Sequence, residues 1–78
     1  MWTVYILKCS DGSYYTGCTG DIKDRLKSHQ KAQISYTKTR LPVELVTQIQ
    51  FVDKYKAYAL EKYLKSGSGI AFRNKRLI

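Results

Sequence analysis

Residues 2 to 9, WTVYILKC, are dominated by β-branched and aromatic side chains, and Asp11-Gly12 is a strong turn signal ahead of a second such run, YYTGC. The two runs predict a β-hairpin. Asp21 is placed to cap a helix from about Ile22 to Ala32, with Ile22, Leu26 and His29 or Gln30 on one side. Residues 33 to 41, QISYTKTRL, read as a loop closed by Pro42. In VELVTQIQF, Val43, Leu45, Thr47 and Ile49 alternate with Glu44, Val46, Gln48 and Gln50, which predicts a third strand. Asp53 caps a second helix, KYKAYALEKYLKS, that ends at Gly67 as its C′ residue. Ser68-Gly69 then separates it from a short basic tail, IAFRNKRLI, of one or two helical turns. The order β-β-α-β-α-α implies an α+β fold, a three-stranded antiparallel sheet flanked by helices.

A chain of 78 residues is expected to form one domain over 1–78, near the lower limit for a self-sufficient core. No apolar run approaches the ~18 residues of a membrane span, and no signal-peptide pattern opens the chain, so no membrane association and a cytoplasmic location are expected. Cys9 and Cys18 lie on neighbouring predicted strands, which leaves a disulfide open; with only two cysteines, reduced thiols are the default. Fourteen Lys and Arg against six Asp and Glu give a net charge of +8. Such a field favours polyanions, and nucleic acid is the commonest polyanionic partner of a small basic domain. The plainer alternative is a basic surface that aids solubility.

Two helical positions break their local pattern. Ala57, Leu60 and Leu64 form an apolar stripe on the second helix, and Glu61 sits within it. One reading is an i,i+4 pair with Lys65; the other is an inward carboxylate that holds a metal ion. The remaining acids belong to a turn, to helix N-termini and to a strand, without an Asp/Glu cluster in sequence. One carboxylate with several waters is an arrangement that suits Mg²⁺. On the first helix Arg25 and His29 are four apart, one above the other, and two cationic donors on one edge suit a phosphate. Gly17, inside a strand-like stretch, marks close approach by another group. Gly67-Ser68-Gly69 is read either as a helix-breaking linker or as a phosphate cradle.

In this order the features resemble the GIY-YIG nuclease family. Thr3-Val4-Tyr5 stands where that family has Gly-Ile-Tyr, and Tyr15-Thr16-Gly17 where it has Tyr-Ile-Gly. The family's helix arginine matches Arg25, its frequent histidine one turn later His29, its metal-binding glutamate Glu61 and its late asparagine Asn74. Tyr36 resembles a recurrent tyrosine of the small single-domain members. Three positions depart from the pattern: Thr3, Thr16, and Cys18 where some members place a lysine. The resemblance implies a nuclease that hydrolyses phosphodiesters with one divalent cation, Mg²⁺ or Mn²⁺, held by Glu61. It implies Tyr5, Tyr15, Arg25, His29 and Asn74 as catalytic residues, with the base open between the two tyrosines. Gly17, Arg25, Tyr36, Lys38 and Arg73 would meet the substrate, DNA first among nucleic acids. In that picture Gly17 leaves room for the scissile phosphate or for a side chain that positions it. The expected protein is a monomer whose target specificity is low or borrowed from a partner. The rival reading is a nucleic-acid-binding module without turnover.

Joint action of Tyr5 and Tyr15 on one phosphate sets a condition on the hairpin. A two-residue loop pairs Ser10 with Ser13, puts Tyr5 opposite Cys18 and sends the two phenols to opposite faces. A three-residue loop, Ser10-Asp11-Gly12, with Gly12 in the left-handed conformation, puts both on one face. A three- or five-residue loop is therefore predicted.

Overall fold

The structure, a computed structural model, describes residues 1–78. Its elements run β1 (Trp2–Lys8), β2 (Tyr14–Thr19), α1 (Ile22–Gln30), β3 (Glu44–Phe51), α2 (Lys54–Leu64) and α3 (Gly67–Arg76). The three strands form one antiparallel sheet in the order β2-β1-β3. The α+β architecture and the order of elements are those expected from the sequence.

β1 is the central strand, and Thr3 to Leu7 are all buried because both faces of the sheet are covered there. One face carries Val4, Ile6 and Cys18, and α2 lays Ala57 and Leu64 on them. Leu60 and Leu77 pack against that cluster from α2 and from the residue that caps α3. Along β3 the alternation is as read: Leu45, Thr47 and Ile49 are half-buried, while Glu44, Val46, Gln48 and Gln50 are exposed. The Thr47 hydroxyl donates to the Leu77 carbonyl and ties the end of α3 to this strand. The tyrosines of α2 pack only in part: Tyr58 meets Trp2 at 5.9 Å between ring centroids, Tyr63 meets Phe72 of α3 at 6.3 Å, and Tyr55 stays at the surface.

The hairpin register decides which side chains share a face. Thr3 faces Thr19, Tyr5 faces Gly17 and Leu7 faces Tyr15, so Tyr5 and Tyr15 lie on the same face. The loop has three residues: the Cys9 amide donates to the Ser13 carbonyl at 2.8 Å across Ser10-Asp11-Gly12, and Gly12 has φ +84. Asp11 completes the turn by accepting from the Ser13 amide at 3.0 Å and from its hydroxyl at 2.6 Å. These bonds hold its carboxyl below the usual carboxylate range, with Arg40 adding to the effect.

The junction of α2 and α3 departs from the expectation. Gly67 is not a left-handed C′ residue, since Gly12 is the glycine with positive φ. Gly67, Ser68 and Gly69 instead form the first turn of α3, capped by the Ser66 hydroxyl, which accepts from the Gly69 amide at 3.2 Å. A Cβ on Gly69 would run into the Tyr63 carbonyl, so this glycine lets two helices meet backbone to backbone. The segment is therefore not a helix-breaking linker. The cap was hidden because Ser66 followed by two glycines also reads as a helix stop. Cys9 and Cys18 are both buried and free, and no helix is long and apolar enough to cross a membrane.

Candidate active site

Tyr5 and Tyr15 project from neighbouring strands onto the face opposite α2, where α1 brings His29. Tyr5 Oη lies 2.9 Å from His29 Nε2, and His29 Nδ1 lies 2.7 Å from Thr37 Oγ1. The rings form one cluster, with centroids 6.1 Å apart for Tyr5 and Tyr15 and 5.0 Å apart for Tyr15 and His29. Gly17 makes room for it: a Cβ there would overlap the Tyr5 phenol, 2.8 Å from Cε1. The close approach signalled by this glycine is thus that of a side chain, Tyr5, and not of a phosphate.

His29 and Tyr5 are both fully buried, at 0% exposure, and this sets their protonation. Burial, reinforced by the Arg25 charge, pushes the His29 imidazole below its usual range. His29 is therefore not the second cationic donor suggested by its spacing from Arg25. It is a neutral ring with one donor and one acceptor nitrogen, each satisfied by a hydroxyl. Burial also holds the Tyr5 phenol far above its usual range; Tyr15 adds to this and Arg25 opposes it. Tyr5 is thus a protonated phenol fixed against a neutral imidazole.

A pH dependence of stability follows. The unfolded imidazole titrates near 6.5, and the folded one lower. Above pH ~6.5 neither state is charged; below it the unfolded chain takes up the proton first, so stability falls with pH until folded His29 also titrates. His29 is the chain's single histidine, so the thermal midpoint is expected to drop between about pH 7.5 and pH 5, and to change much less in His29→Gln. A wild-type midpoint as flat as the variant's would contradict the buried neutral imidazole.

The long loop is held against this cluster by residues that sequence reasoning passed over. Thr37 is buried at 0% exposure and supplies the hydroxyl on His29. Arg40 donates to Asp11 at 3.1 Å and to the Tyr36 carbonyl, and its guanidinium lies 4.1 Å from the Tyr36 ring centroid. The hairpin tip thereby clamps the loop, and Tyr36 stacks on Tyr15 with centroids 5.5 Å apart. Lys38 is exposed and forms no ion pair. A threonine and an arginine in a polar loop carry no spacing signal that would have set them apart.

Arg25, half-buried on α1, lowers Tyr5, His29 and Cys18 alike, which places its charge beside all three. It has no carboxylate partner, because the ion pairs are Arg40–Asp11 and Lys65–Glu61. Glu61 comes from α2, the helix that packs on the Val4–Ile6–Cys18 face. The thiol of Cys18 on the edge strand β2 feels both charges: burial and Glu61 push it up, Arg25 pulls it down. Glu61 is only 20% exposed at its side chain, and Lys65 Nζ lies 3.4 Å from its Oε2. That distance makes a weak bond and leaves the carboxylate available. No three His, Cys, Asp or Glu side chains converge anywhere; a lone carboxylate such as Glu61 could hold only a hard cation that keeps most of its shell as water. Asn74 accepts from Arg73 Nε and Nη2 at 3.1 and 2.9 Å, and Arg73 lies 5.3 Å from the Tyr14 ring centroid. Asn74 is exposed and does not touch the tyrosine–histidine cluster; it orients Arg73.

The family model of the GIY-YIG catalytic domain matches residues 1–74. The chain belongs to the GIY-YIG family. UPF0213 proteins of Staphylococcus aureus strains Mu50 and N315 are each 45% identical to it over 64 residues, 81% of this chain and 78% of theirs. The solution NMR structure of a UPF0213 protein from Bacillus halodurans is similar at a TM-score of 0.61 and 35% identity, covering 99% of this chain and 87% of that one. GIY-YIG domains are endonuclease domains, which implies a nuclease-type function and a nucleic-acid substrate. Within this GIY-YIG chain the first-motif tyrosine, Tyr5, is the buried one, and the second, Tyr15, lines an open cavity with Tyr36 and Arg73.

Proposed function

We propose that this protein is a metal-dependent endonuclease, acting on DNA, in which Tyr15 is the general base, Arg25 neutralises charge on the phosphoryl group and Glu61 holds one Mg²⁺. The observation that carries the assignment of the base is the contrast between the two phenols. Tyr5 is enclosed, engaged with His29 and held protonated by burial. Tyr15 is partly exposed on the same face and lines a cavity, and the half-buried Arg25 has no carboxylate partner.

Water attacks the phosphorus and passes its proton to the Tyr15 phenolate, and the leaving oxygen departs with the bonding pair. Arg25, whose charge acts on Tyr5 and His29, is the cation of this cluster. Charge that builds on the phosphoryl oxygens is met by the same guanidinium, whose planar fork suits two of them. Tyr5, His29 and Thr37 hold the Tyr15 ring in place as a packed, hydrogen-bonded wall. A bound Mg²⁺ would act as a Lewis acid on a phosphate oxygen and on the water it carries. Cys18, on the edge strand, is within reach of the charges of both Arg25 and Glu61, and its raised thiol is a neutral neighbour to them.

A panel of labelled DNA and RNA strands, duplexes and branched structures, incubated with Mg²⁺, Mn²⁺ or chelator, tests the reading. Divalent-dependent cleavage is expected, with DNA preferred. Binding measured in chelator should fall about 40-fold between 50 and 200 mM salt for every three duplex phosphates neutralised, by the slope of about −0.9 per phosphate. Binding that ignores salt would remove the nucleic-acid reading, and salt-sensitive binding without turnover would favour a non-catalytic binding module.

A further inference from the structure

We propose that the cavity beside Tyr15 is a subsite for one unpaired nucleobase of the substrate, adjacent to the phosphodiester that is cut. The inference rests on the nuclease reading above and adds a substrate class to it. The cavity lies along β2, between the long loop on one side and the α2–α3 junction on the other. Its volume of ≈ 270 Å³ falls just below the ~300–1,000 Å³ that encloses a drug-sized ligand. One flat heterocycle fits this space; a base pair does not.

Its walls have the chemistry of a base-stacking platform. Tyr14 and Tyr36 supply aromatic faces, and Leu64 and Ile70 supply aliphatic surface between them. The Tyr36 ring is already fixed before any ligand arrives, by Tyr15 at 5.5 Å and the Arg40 guanidinium at 4.1 Å. Stacking on such rings tolerates any base, since every base has a π-face.

The lining also contains a polar group that the fold itself does not explain. Thr16 is 4% exposed, and its Oγ1 is the one buried side-chain polar atom without a hydrogen-bond partner. A buried hydroxyl without a partner is costly, and valine would fill the same volume without that cost. A base edge entering the cavity can supply the missing partner, because the Watson–Crick edge of every base carries both a donor and an acceptor. Two cations complete the site. Lys65 and Arg73 belong to the lining, and Asn74 fixes Arg73 through two hydrogen bonds of 3.1 and 2.9 Å. They suit the phosphates that flank a base seated between the tyrosines.

A base paired within a duplex has its Watson–Crick edge engaged and its faces stacked, so only a base outside the stack can enter. Single strands, flaps and bulges are therefore the substrates this cavity selects, over uninterrupted duplex. The neighbouring phosphate of the same nucleotide would then lie toward Tyr15, which lines the cavity.

The test is a binding scan in chelator, which separates recognition from cleavage. A short single-stranded DNA is prepared with 2-aminopurine at each position in turn, and again with an abasic site at each position. At one position the abasic strand is expected to bind about 5- to 150-fold more weakly than the intact strand, the range of one base–aromatic stack. The 2-aminopurine emission should be quenched at that position. Tyr36→Ala should erase both effects. Thr16→Val should keep the quench, weaken binding of the intact strand a few-fold through the lost hydrogen bond, and leave the thermal midpoint no lower than wild type. Equal binding of intact and abasic strands at every position, with salt-sensitive affinity retained, would overturn the subsite and leave the nuclease reading standing. Adenosine monophosphate binding as tightly as the strand would also overturn it, because the cavity would then serve a free nucleotide. Failure to bind any strand would remove both proposals.

Discussion

Tyr15→Phe is expected to lower kcat by about 10²–10⁴-fold, the usual contribution of a positioned general base, while leaving the thermal midpoint within a degree or two of wild type. The ring that packs between Tyr36 and His29 is retained; only the proton acceptor is lost. Tyr5→Phe should do the reverse. Its hydroxyl is buried and bonded to His29 Nε2 at 2.9 Å, so the deletion leaves a buried ring nitrogen without its partner. That costs about 1–3 kcal/mol of stability, with a smaller effect on kcat that comes from loosened packing around Tyr15. Steady-state cleavage and thermal unfolding of the two variants separate the roles. If Tyr5→Phe loses turnover at full stability and Tyr15→Phe cleaves normally, the assignment of the base is reversed.

The second large effect concerns Glu61. Glu61→Gln keeps the shape of the side chain and removes the charge that would hold a cation, so cleavage in Mg²⁺ should fall by about 10³-fold or more. A metal ion's contribution to a phosphoryl transition state is several kcal/mol, and each ~1.4 kcal/mol is tenfold in rate. An activity-independent readout accompanies this: Mg²⁺ should raise the thermal midpoint of wild type by mass action and do nothing to the variant. The alternative role of Glu61 is the pair with Lys65 on α2, 3.4 Å long and with Lys65 54% exposed. A partly exposed pair of this kind is worth about 0–1 kcal/mol. Lys65→Ala therefore separates the two accounts. If Glu61→Gln and Lys65→Ala both cleave like wild type and both lose the same small amount of stability, the ion pair is the whole role of Glu61.

The relation between these predictions and the sequence is uneven, and the reason differs from residue to residue. Asp21 and Asp53 announce their helices because an N-cap acts within one turn: Asp21 accepts from the Asp24 amide at 3.0 Å and Asp53 from the Tyr55 amide at 2.8 Å. A hairpin loop of three or five residues followed from parity once Tyr5 and Tyr15 were required to share a face, since side chains alternate along paired strands, and the structure has the three-residue loop. Gly17 signalled a close approach because a missing Cβ is a local fact, although the group that approaches, Tyr5, sits twelve positions away on another strand. Ser66-Gly67-Ser68-Gly69 misled because the same local chemistry ends one helix and begins the next. Which of the two happened depended on Tyr63 and Leu64 packing against Gly69.

By itself, the sequence determined the order of elements, the hairpin loop lengths that let Tyr5 and Tyr15 share a face, the basic field and membership of a nuclease family, all of which rest on spacing of a few residues or on motif identity. Tertiary structure alone decided the protonation of the site. His29 and Tyr5 carry ordinary titratable groups until the central strand, α1 and the loop remove water from both, and desolvation is a property of the whole enclosure. The same closure gave Thr37 its place on His29, brought Arg40 across to Asp11, and turned Thr16, an unremarkable strand residue, into a buried hydroxyl with no partner. Burial depends on which distant segments pack together, and no window of neighbouring residues records that.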